Sequence, residues 1–241
     1  IVAVTAGAAQ KPDETRLDLV HRNVDIYKEI IPEITRYTKQ AILLIVTNPV
    51  DVMAYVAYKL SGLPAHQVIG SGTVLDTARF RFLLSQHCGV AVHNVHAYIV
   101  GEHGDTEVPL WSLANVAGMK FDQYCLACER ACHQDEREAI FTQVRDAAYH
   151  IIEKKTATYY AIGLAMVEIC ETILRHENSV LTVSTLLDGQ LGVSDIYLSV
   201  PAVLNRRGVQ RLIELNISEE ERRAFHHSAE TIGKIAWNLG L

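Results

Sequence analysis

The sequence predicts an α/β protein: a parallel sheet with helices on both faces, followed by an α+β half. Three observations predict it. Short β-branched runs end in glycine or polar loops, apolar residues between them recur at helical spacing, and this alternation stops after about residue 103. Ile1 to Thr5 is the first run; it stops at Gly7 and reads as a buried parallel strand opening into the polar loop Ala8 to Arg16. From Leu17 to about Tyr37, the residues Leu17, Val20, Val24, Ile26, Ile30 and Ile34 mark an amphipathic helix that Pro32 is expected to kink or interrupt. Ala41 to Val46 is a second buried strand. A helix from about Val50 to Leu60, a strand at Val68 and Ile69, a helix from Val74 to Cys88 and a strand from His96 to Val100 complete the alternation.

The second half reads as helices around Asp135 to Ile152 and Ala157 to Arg175, strands at Val180 to Ser184 and Ile196 to Val200, and a C-terminal helix from Ser218. Ser218 and Glu221 have the spacing of a capping box, with acidic residues at the positive helix end. No repeat, low-complexity segment or long linker interrupts the chain. The division is expected at residues 1–103 and 104–241.

The 241 residues are 49% hydrophobic and carry 22 Lys+Arg against 28 Asp+Glu, a net charge of −6. That length can bury a sizeable core. No apolar run approaches the roughly 18 to 20 residues of a membrane span, and no basic stretch offers phosphate contacts, so neither membrane nor nucleic acid is an expected partner. Cys88, Cys125, Cys128, Cys132 and Cys170 read as free thiols of a reducing cytosol. Cys125-Leu-Ala-Cys128 followed by Cys132-His133 has zinc-like spacing but lacks a second, distant ligand pair. An exposed helix over Asp122 to His133, its thiols packing as small hydrophobes on one face, is the preferred reading, with no metal.

Four strand ends or loops deliver polar groups: Gln10 to Arg16, Thr47-Asn48-Pro49-Val50-Asp51, Asp76-Thr77-Ala78-Arg79 and Gly101-Glu102-His103-Gly104-Asp105. Ligands of open parallel sheets sit beyond the carboxyl ends of the strands. His103 alone reads as a solvated loop histidine, although its glycine neighbours leave room for a ligand. Asp76 and Arg79 alone read as a surface i,i+3 ion pair.

Together with Gly70-Ser71-Gly72-Thr73 ahead of Asp76, these segments resemble the bacterial L-lactate dehydrogenases, in the family's order and over essentially the whole chain. The resemblance implies a Rossmann-type cofactor domain, NAD, and interconversion of pyruvate and L-lactate at the end of homolactic fermentation, in cytoplasmic homotetramers. It makes His103 the general acid/base, Asp76 the carboxylate that orients it, and Arg79 the planar fork that grips the substrate carboxylate. Arg16 would polarise the carbonyl when its loop closes. Gln10, neutral where malate dehydrogenases carry arginine, selects pyruvate over oxaloacetate. Asn48 would bond near the ketone, with Pro49, Val50, Asp51, Thr77 and Ala78 around the substrate. Thr158 would line the methyl pocket and Ile162 pack on the nicotinamide, or both simply pack their helix. Gly7, Ala8, Val46, Thr47, Asn48 and Ser71 would form the nicotinamide half of the cofactor site.

Arg79 and Arg81 lie roughly 200° apart on a helix, so Arg81 serves something else. In the resembling enzymes, cations at the positions of Arg81 and His96 bind the activator fructose 1,6-bisphosphate at a subunit interface. A solvent-facing arginine and an incidental histidine are the alternative. The sequence also departs from the family. It has no Gly-x-Gly-x-x-Gly turn and no ribose-binding acid after the next strand, so about 60 to 90 N-terminal residues are missing from the pattern. Asp13 and Thr156 stand where relatives commonly have glycine. The expectation is an L-lactate dehydrogenase lacking its N-terminal part and inactive as this piece. The competing readings are a catalytically silent homologue, a malate dehydrogenase-like enzyme and a zinc module.

Overall fold

The computed structural model describes residues 1–8, 16–127, 132–147, 151 and 159–239, with 16 and 17 for their backbone only. In chain order the first half runs β1 (Val2–Val4), α1 (Arg16–Tyr37), β2 (Leu43–Ile45), α2 (Val50–Ser61), β3 (Val68–Gly70) and α3 (Val74–Cys88). Five two-residue strands follow: β4 (Val95–His96), β5 (Ile99–Val100), β6 (Val108–Pro109), β7 (Asn115–Val116) and β8 (Met119–Lys120). The rest is α4 (Phe121–Ala127), α5 (Gln134–Arg145), α6 (Tyr160–Arg175), β9 (Ser179–Asp188), β10 (Ser194–Asn205), β11 (Gly208–Leu212) and α7 (Glu219–Asn238).

The predicted α/β class holds, and the sheet is larger than expected. β1, β2 and β3 are parallel, as read, but β9, β10 and β11 extend the same sheet antiparallel, giving six strands in the order β1-β2-β3-β9-β10-β11. The join is the pair Gly70↔Ser184. A Cβ on Gly70 would lie 2.8 Å from the Ser184 Cβ, so glycine is what lets β3 meet β9.

Strand alternation sorts the core into two faces. Leu43, Ile45 and Val68 face α1, α2 and α7, packing with Val20, Tyr27, Met53, Phe225 and Ile232. Ile42, Leu44 and Ile69 face α6, through Ala165, Ile169 and Ile173. Helices therefore cover both faces, as the sequence suggested. A third cluster sets Phe80, Leu84 and Cys88 of α3 against Phe121, Cys125, Ile140 and Val144 of α4 and α5. Burial of each large side chain contributes about 1.5–3 kcal/mol.

Several boundaries shift. Pro32 lies inside α1, which continues to Tyr37, and the buried face of that helix is Val20, Asn23, Val24, Tyr27 and Ile31. The strand read over His96 to Val100 is two strands in different sheets, β4 with β7 and β5 with β6. β9 and β10 are 10 and 12 residues long, about twice the stretches read. The helix read over Asp122 to His133 is α4, Phe121–Ala127, and Cys125 on it packs into an apolar cluster, as a thiol acting as a small hydrophobe would. The helix read from Asp135 to Ile152 is α5 as far as Arg145; Asp146 makes a turn, and Ala147 and Ile151 are again helical. The Ser218 capping box is present, with Glu221 N–H donating to Ser218 Oγ at 3.2 Å and Ser218 N–H to Glu221 Oε2 at 2.8 Å. No described helix is long and apolar enough to cross a membrane.

Candidate active site

The carboxyl ends of β1, β2 and β3 open on one side, and the loops there are cross-braced. Thr47 Oγ1 donates to the Ala6 carbonyl at 2.8 Å, and a Cβ on Gly7 would lie 2.4 Å from Thr47 Cγ2. Only glycine permits that approach. Asn23, buried in α1, ties both loops together: its Oδ1 accepts from Ala8 N–H at 2.8 Å and its Nδ2 donates to the Asn48 carbonyl at 2.9 Å. Sequence reasoning missed Asn23. Its signal was available, a polar residue on an apolar helical face between Val20, Val24 and Tyr27. Asn48 is exposed at the mouth, Val46 is half-buried, and a cis peptide bond leads to Pro49 and the buried Val50. Ser71 N–H donates to the Ile45 carbonyl at 2.8 Å, which seats the next loop against β2.

The segment Gly101 to His103 is held by three successive backbone N–H groups, each bonded to a different element. Gly101 N–H donates to the Ser199 carbonyl of β10 at 2.9 Å, Glu102 N–H to Ser228 Oγ of α7 at 2.6 Å, and His103 N–H to Asp51 Oδ2 of α2 at 2.8 Å. Asp51, 1% exposed, takes Ser184 Oγ on its other oxygen at 2.6 Å. Burial pushes the Asp51 carboxyl up to about 6, tempered by those two donors. Both of its oxygens thus serve the fold behind His103, a placement different from the substrate contact expected of it.

His103 Nδ1 meets Asp76 Oδ2 at 2.6 Å, and Arg79 Nη1 donates to Asp76 Oδ1 at 3.2 Å. Asp76 has 4% side-chain exposure, so this is a buried bridge and not the surface i,i+3 pair that spacing alone suggested. Burial works against a charged imidazole; the charge and hydrogen bond of Asp76 outweigh it, and His103 is raised to about 9. Burial likewise favours a neutral Asp76, but the imidazolium and Arg79 outweigh it and hold its carboxyl below the ordinary range. With Nδ1 committed to Asp76, Nε2 of a protonated ring is left as a donor, and the ring keeps 25% exposure. Thr77 is a buried brace, accepting Ile99 N–H at 3.0 Å and meeting Thr182 Oγ1 at 2.9 Å, while Ala78 is exposed.

A further carboxyl lies close by and was not anticipated. Glu107 is buried, its Oε1 has no hydrogen-bond partner among the described residues, and burial together with Asp76 pushes it up to about 9. Of the other expected site residues, Ile162 is half-buried on α6, beside the cluster on the second sheet face. Gln10, the Arg16 side chain and Thr158 lie outside the described residues, as do Cys128, Asp13 and Thr156. Arg81 is half-buried; its Nε donates to the Ala97 carbonyl at 2.9 Å and its guanidinium lies over the Tyr98 ring at 5.1 Å, beside exposed His96.

A buried carboxylate shared by a histidine and an arginine, at the mouth of a parallel sheet, is equipped to move one proton and hold one anion. Residues 1–70 match the lactate/malate dehydrogenase NAD binding domain, and residues 73–236 the alpha/beta C-terminal domain of the same family. An L-lactate dehydrogenase of Thermoanaerobacter sp. (strain X514) is 55% identical over 241 residues, covering 100% of this chain and 78% of that protein. L-lactate dehydrogenase 1 of Clostridium acetobutylicum is 53% identical over 232 residues, 96% of this chain and 74% of that protein. Among solved structures, the lactate dehydrogenase MGS-M5 from a Medee basin deep-sea metagenome library superposes with a TM-score of 0.96 at 44% identity, over 100% of this chain and 76% of its own. The minor L-lactate dehydrogenase of Enterococcus mundtii, with ligands bound, gives 0.94 at 39% identity over 98% and 75%. With two family domains matched in order and more than half of the residues shared with such a relative, the chain belongs to the lactate/malate dehydrogenase family.

Proposed function

We propose that this chain carries the catalytic centre of an NAD-dependent L-lactate dehydrogenase, an oxidoreductase interconverting pyruvate and L-lactate. The observation that carries the reading is the 2.6 Å contact of His103 Nδ1 with a buried Asp76 that also binds Arg79. The nicotinamide half of NAD suits the crevice beyond β1 to β3, where the Gly7 loop closes on Thr47 and leaves no side chain of its own in the way. Gly7, Ala8, Val46, Thr47, Asn48, Ser71 and Ile162 would hold it there; when bound, NAD supplies the hydride acceptor or donor. The chain's own residues manage the rest. His103 Nε2–H gives its proton to the ketone oxygen in reduction and takes it back in oxidation. Asp76 keeps the ring oriented and stabilises its charged form. Arg79, with Nη1 on Asp76, offers the remaining face of its fork to the substrate carboxylate. Arg16 stabilises the developing oxyanion and Thr158 lines the methyl pocket, while neutral Gln10 favours pyruvate over a dicarboxylic 2-oxo acid.

The test is NADH oxidation by the full product of the gene with pyruvate or oxaloacetate. Pyruvate is expected to be turned over with the higher kcat/KM. Faster turnover of oxaloacetate would favour the malate dehydrogenase-like reading and overturn the role given to Gln10.

We further propose a homotetramer in the cytoplasm, activated by fructose 1,6-bisphosphate at Arg81 and His96. Tyr160, Leu164, Val167 and Leu174 form an exposed apolar row on α6, which supports burial against another copy. The tie of Arg81 to Ala97 sets its charge next to His96 on one edge, which supports an anion site there. Arg81→Gln is expected to abolish stimulation by the bisphosphate in a steady-state assay. Stimulation that survives the substitution removes the site.

A further inference from the structure

We propose that His87, Cys125 and Cys132 form a binding site for one zinc-class divalent cation that clamps the end of α3 to α4 and to the start of α5. The Cys-x-x-Cys pattern lacked a distant ligand in the sequence; the fold supplies one from 38 residues upstream of Cys125. His87 lies in the last turn of α3, Cys125 near the end of α4, and Cys132 just before His133, the N-cap of α5. His87 Nε2 stands 3.9 Å from Cys125 Sγ, and the three ligand atoms all lie within 4.8 Å of one another. Tetrahedral zinc, with bonds of about 2.3 Å to sulfur and 2.0–2.1 Å to nitrogen, needs its ligand atoms roughly 3.5–3.8 Å apart. Side-chain rotations of under about 1 Å close that gap.

The surroundings favour a cation over three chance neighbours. Cys125 is 3% exposed and part of the apolar cluster of α3, α4 and α5, while His87 and Cys132 are half-buried and leave a way in. The His87 ring packs on Phe121 at 5.9 Å between centroids, which limits its orientations. Two imidazole-and-thiolate ligand types in one cluster select a borderline-soft ion over magnesium or calcium. Burial, the Cys125 thiol and the charge of Glu136 push the Cys132 thiol up to about 11. Binding is then an exchange without redox change: one Zn²⁺ enters, two thiols become thiolates, and two protons leave. A water completes the fourth position. Because Asp76 and Arg79 sit at the other end of α3, the clamp fixes the helix that carries them.

The experiment uses the full gene product, reduced with a phosphine, stripped with chelator and titrated with Co²⁺ as the probe. One equivalent is expected to produce a sulfur-to-cobalt charge-transfer band and tetrahedral visible bands, both abolished by Zn²⁺. Cys132→Ser and Cys125→Ser are expected to lose the charge-transfer intensity, and His87→Gln to weaken affinity at least ~10-fold. Cys170→Ser on α6, remote from the cluster, serves as control and retains both. Because Cys125 is buried, the half-buried His87→Gln variant keeps the test valid if the serine variant fails to fold. No band at one equivalent of Co²⁺, or an unchanged titration in His87→Gln and Cys132→Ser, overturns the proposal.

Discussion

Replacing Asp76 with asparagine keeps the shape of the group that faces His103 and removes its charge. In the parent, His103 is raised from 6.5 to about 9 against the opposing effect of burial. Without the carboxylate, burial, the largest single influence, is left opposed by Asp51 and Glu107, and the imidazole is expected to titrate near 6.5 or below, a loss of ~300-fold in proton affinity, about 3 kcal/mol. At pH 7.5 the imidazolium falls from nearly the whole population to roughly a tenth or less. The assay is an NMR titration of the His103 ring in parent and Asp76→Asn, with pyruvate reduction followed over the same pH range. Reduction needs the protonated ring, so its decline with rising pH moves to lower pH in the variant. Stability carries the same signature. The raised His103 stabilises the fold fully below 6.5 and loses that contribution as pH rises through about 9, while the depressed Asp76 contributes above 3.8 and loses it on acidification. The parent's advantage over the variant is therefore largest between pH 3.8 and 6.5 and shrinks on both sides. An imidazole in Asp76→Asn that still titrates above about 8 would refute the assignment of its proton affinity to Asp76.

Two further substitutions probe the frame of the site. Gly72 has φ +55°, and a Cβ there would lie 2.5 Å from the Ser184 backbone nitrogen and 2.8 Å from the Thr182 carbonyl oxygen. Gly72→Ala is expected to cost about 2–5 kcal/mol in urea denaturation, combining left-handed strain with overpacking against backbone that cannot turn aside; a loss below ~1 kcal/mol would show that β9 yields. Glu107 is raised from 4.5 to about 9 by burial and by Asp76, so the folded state holds a proton that the unfolded chain releases. Stability of the parent should fall as pH rises through that window, and Glu107→Gln should flatten the fall; parallel stability curves for the two proteins would remove this account.

The grouping of His103, Asp76 and Arg79 was legible because polar residues cluster at strand ends, and because four motifs recur in one order. Burial was not legible. Asp76 and Arg79 have the spacing of a solvated ion pair, and only the meeting of α3 with the His103 loop makes theirs a buried bridge. The braces of the site escaped for a related reason. Ser184, Ser228 and Asn23 are single polar residues whose partners lie 133, 126 and 15 to 25 residues away, and a linear pattern records no such pairing. The apolar run of β10 was read only to Val200, ahead of Pro201, and that of β9 only to Ser184, ahead of Thr185, so both strands were read short. Their backbone pairing with each other sets their length. The same shortfall hid the joining of the two halves into one sheet.

That joining bears on how the His103 ring is placed. Gly101, Glu102 and His103 each donate a backbone N–H to a different element, β10, α7 and α2, before the His103 side chain makes any contact. Gly101 accepts this path at φ +88°, where a Cβ would lie 2.7 Å from Ser228 Oγ. The ring is therefore positioned by main chain that three distant parts of the sequence hold, and Asp76 acts on a ring already in place. Orientation and charge come from one residue and position from the whole sheet, so loss of Asp76 should lower proton affinity while leaving the loop where it is. Changes at Ser228, whose hydroxyl holds the Glu102 N–H, should instead loosen the loop and raise KM and lower kcat together.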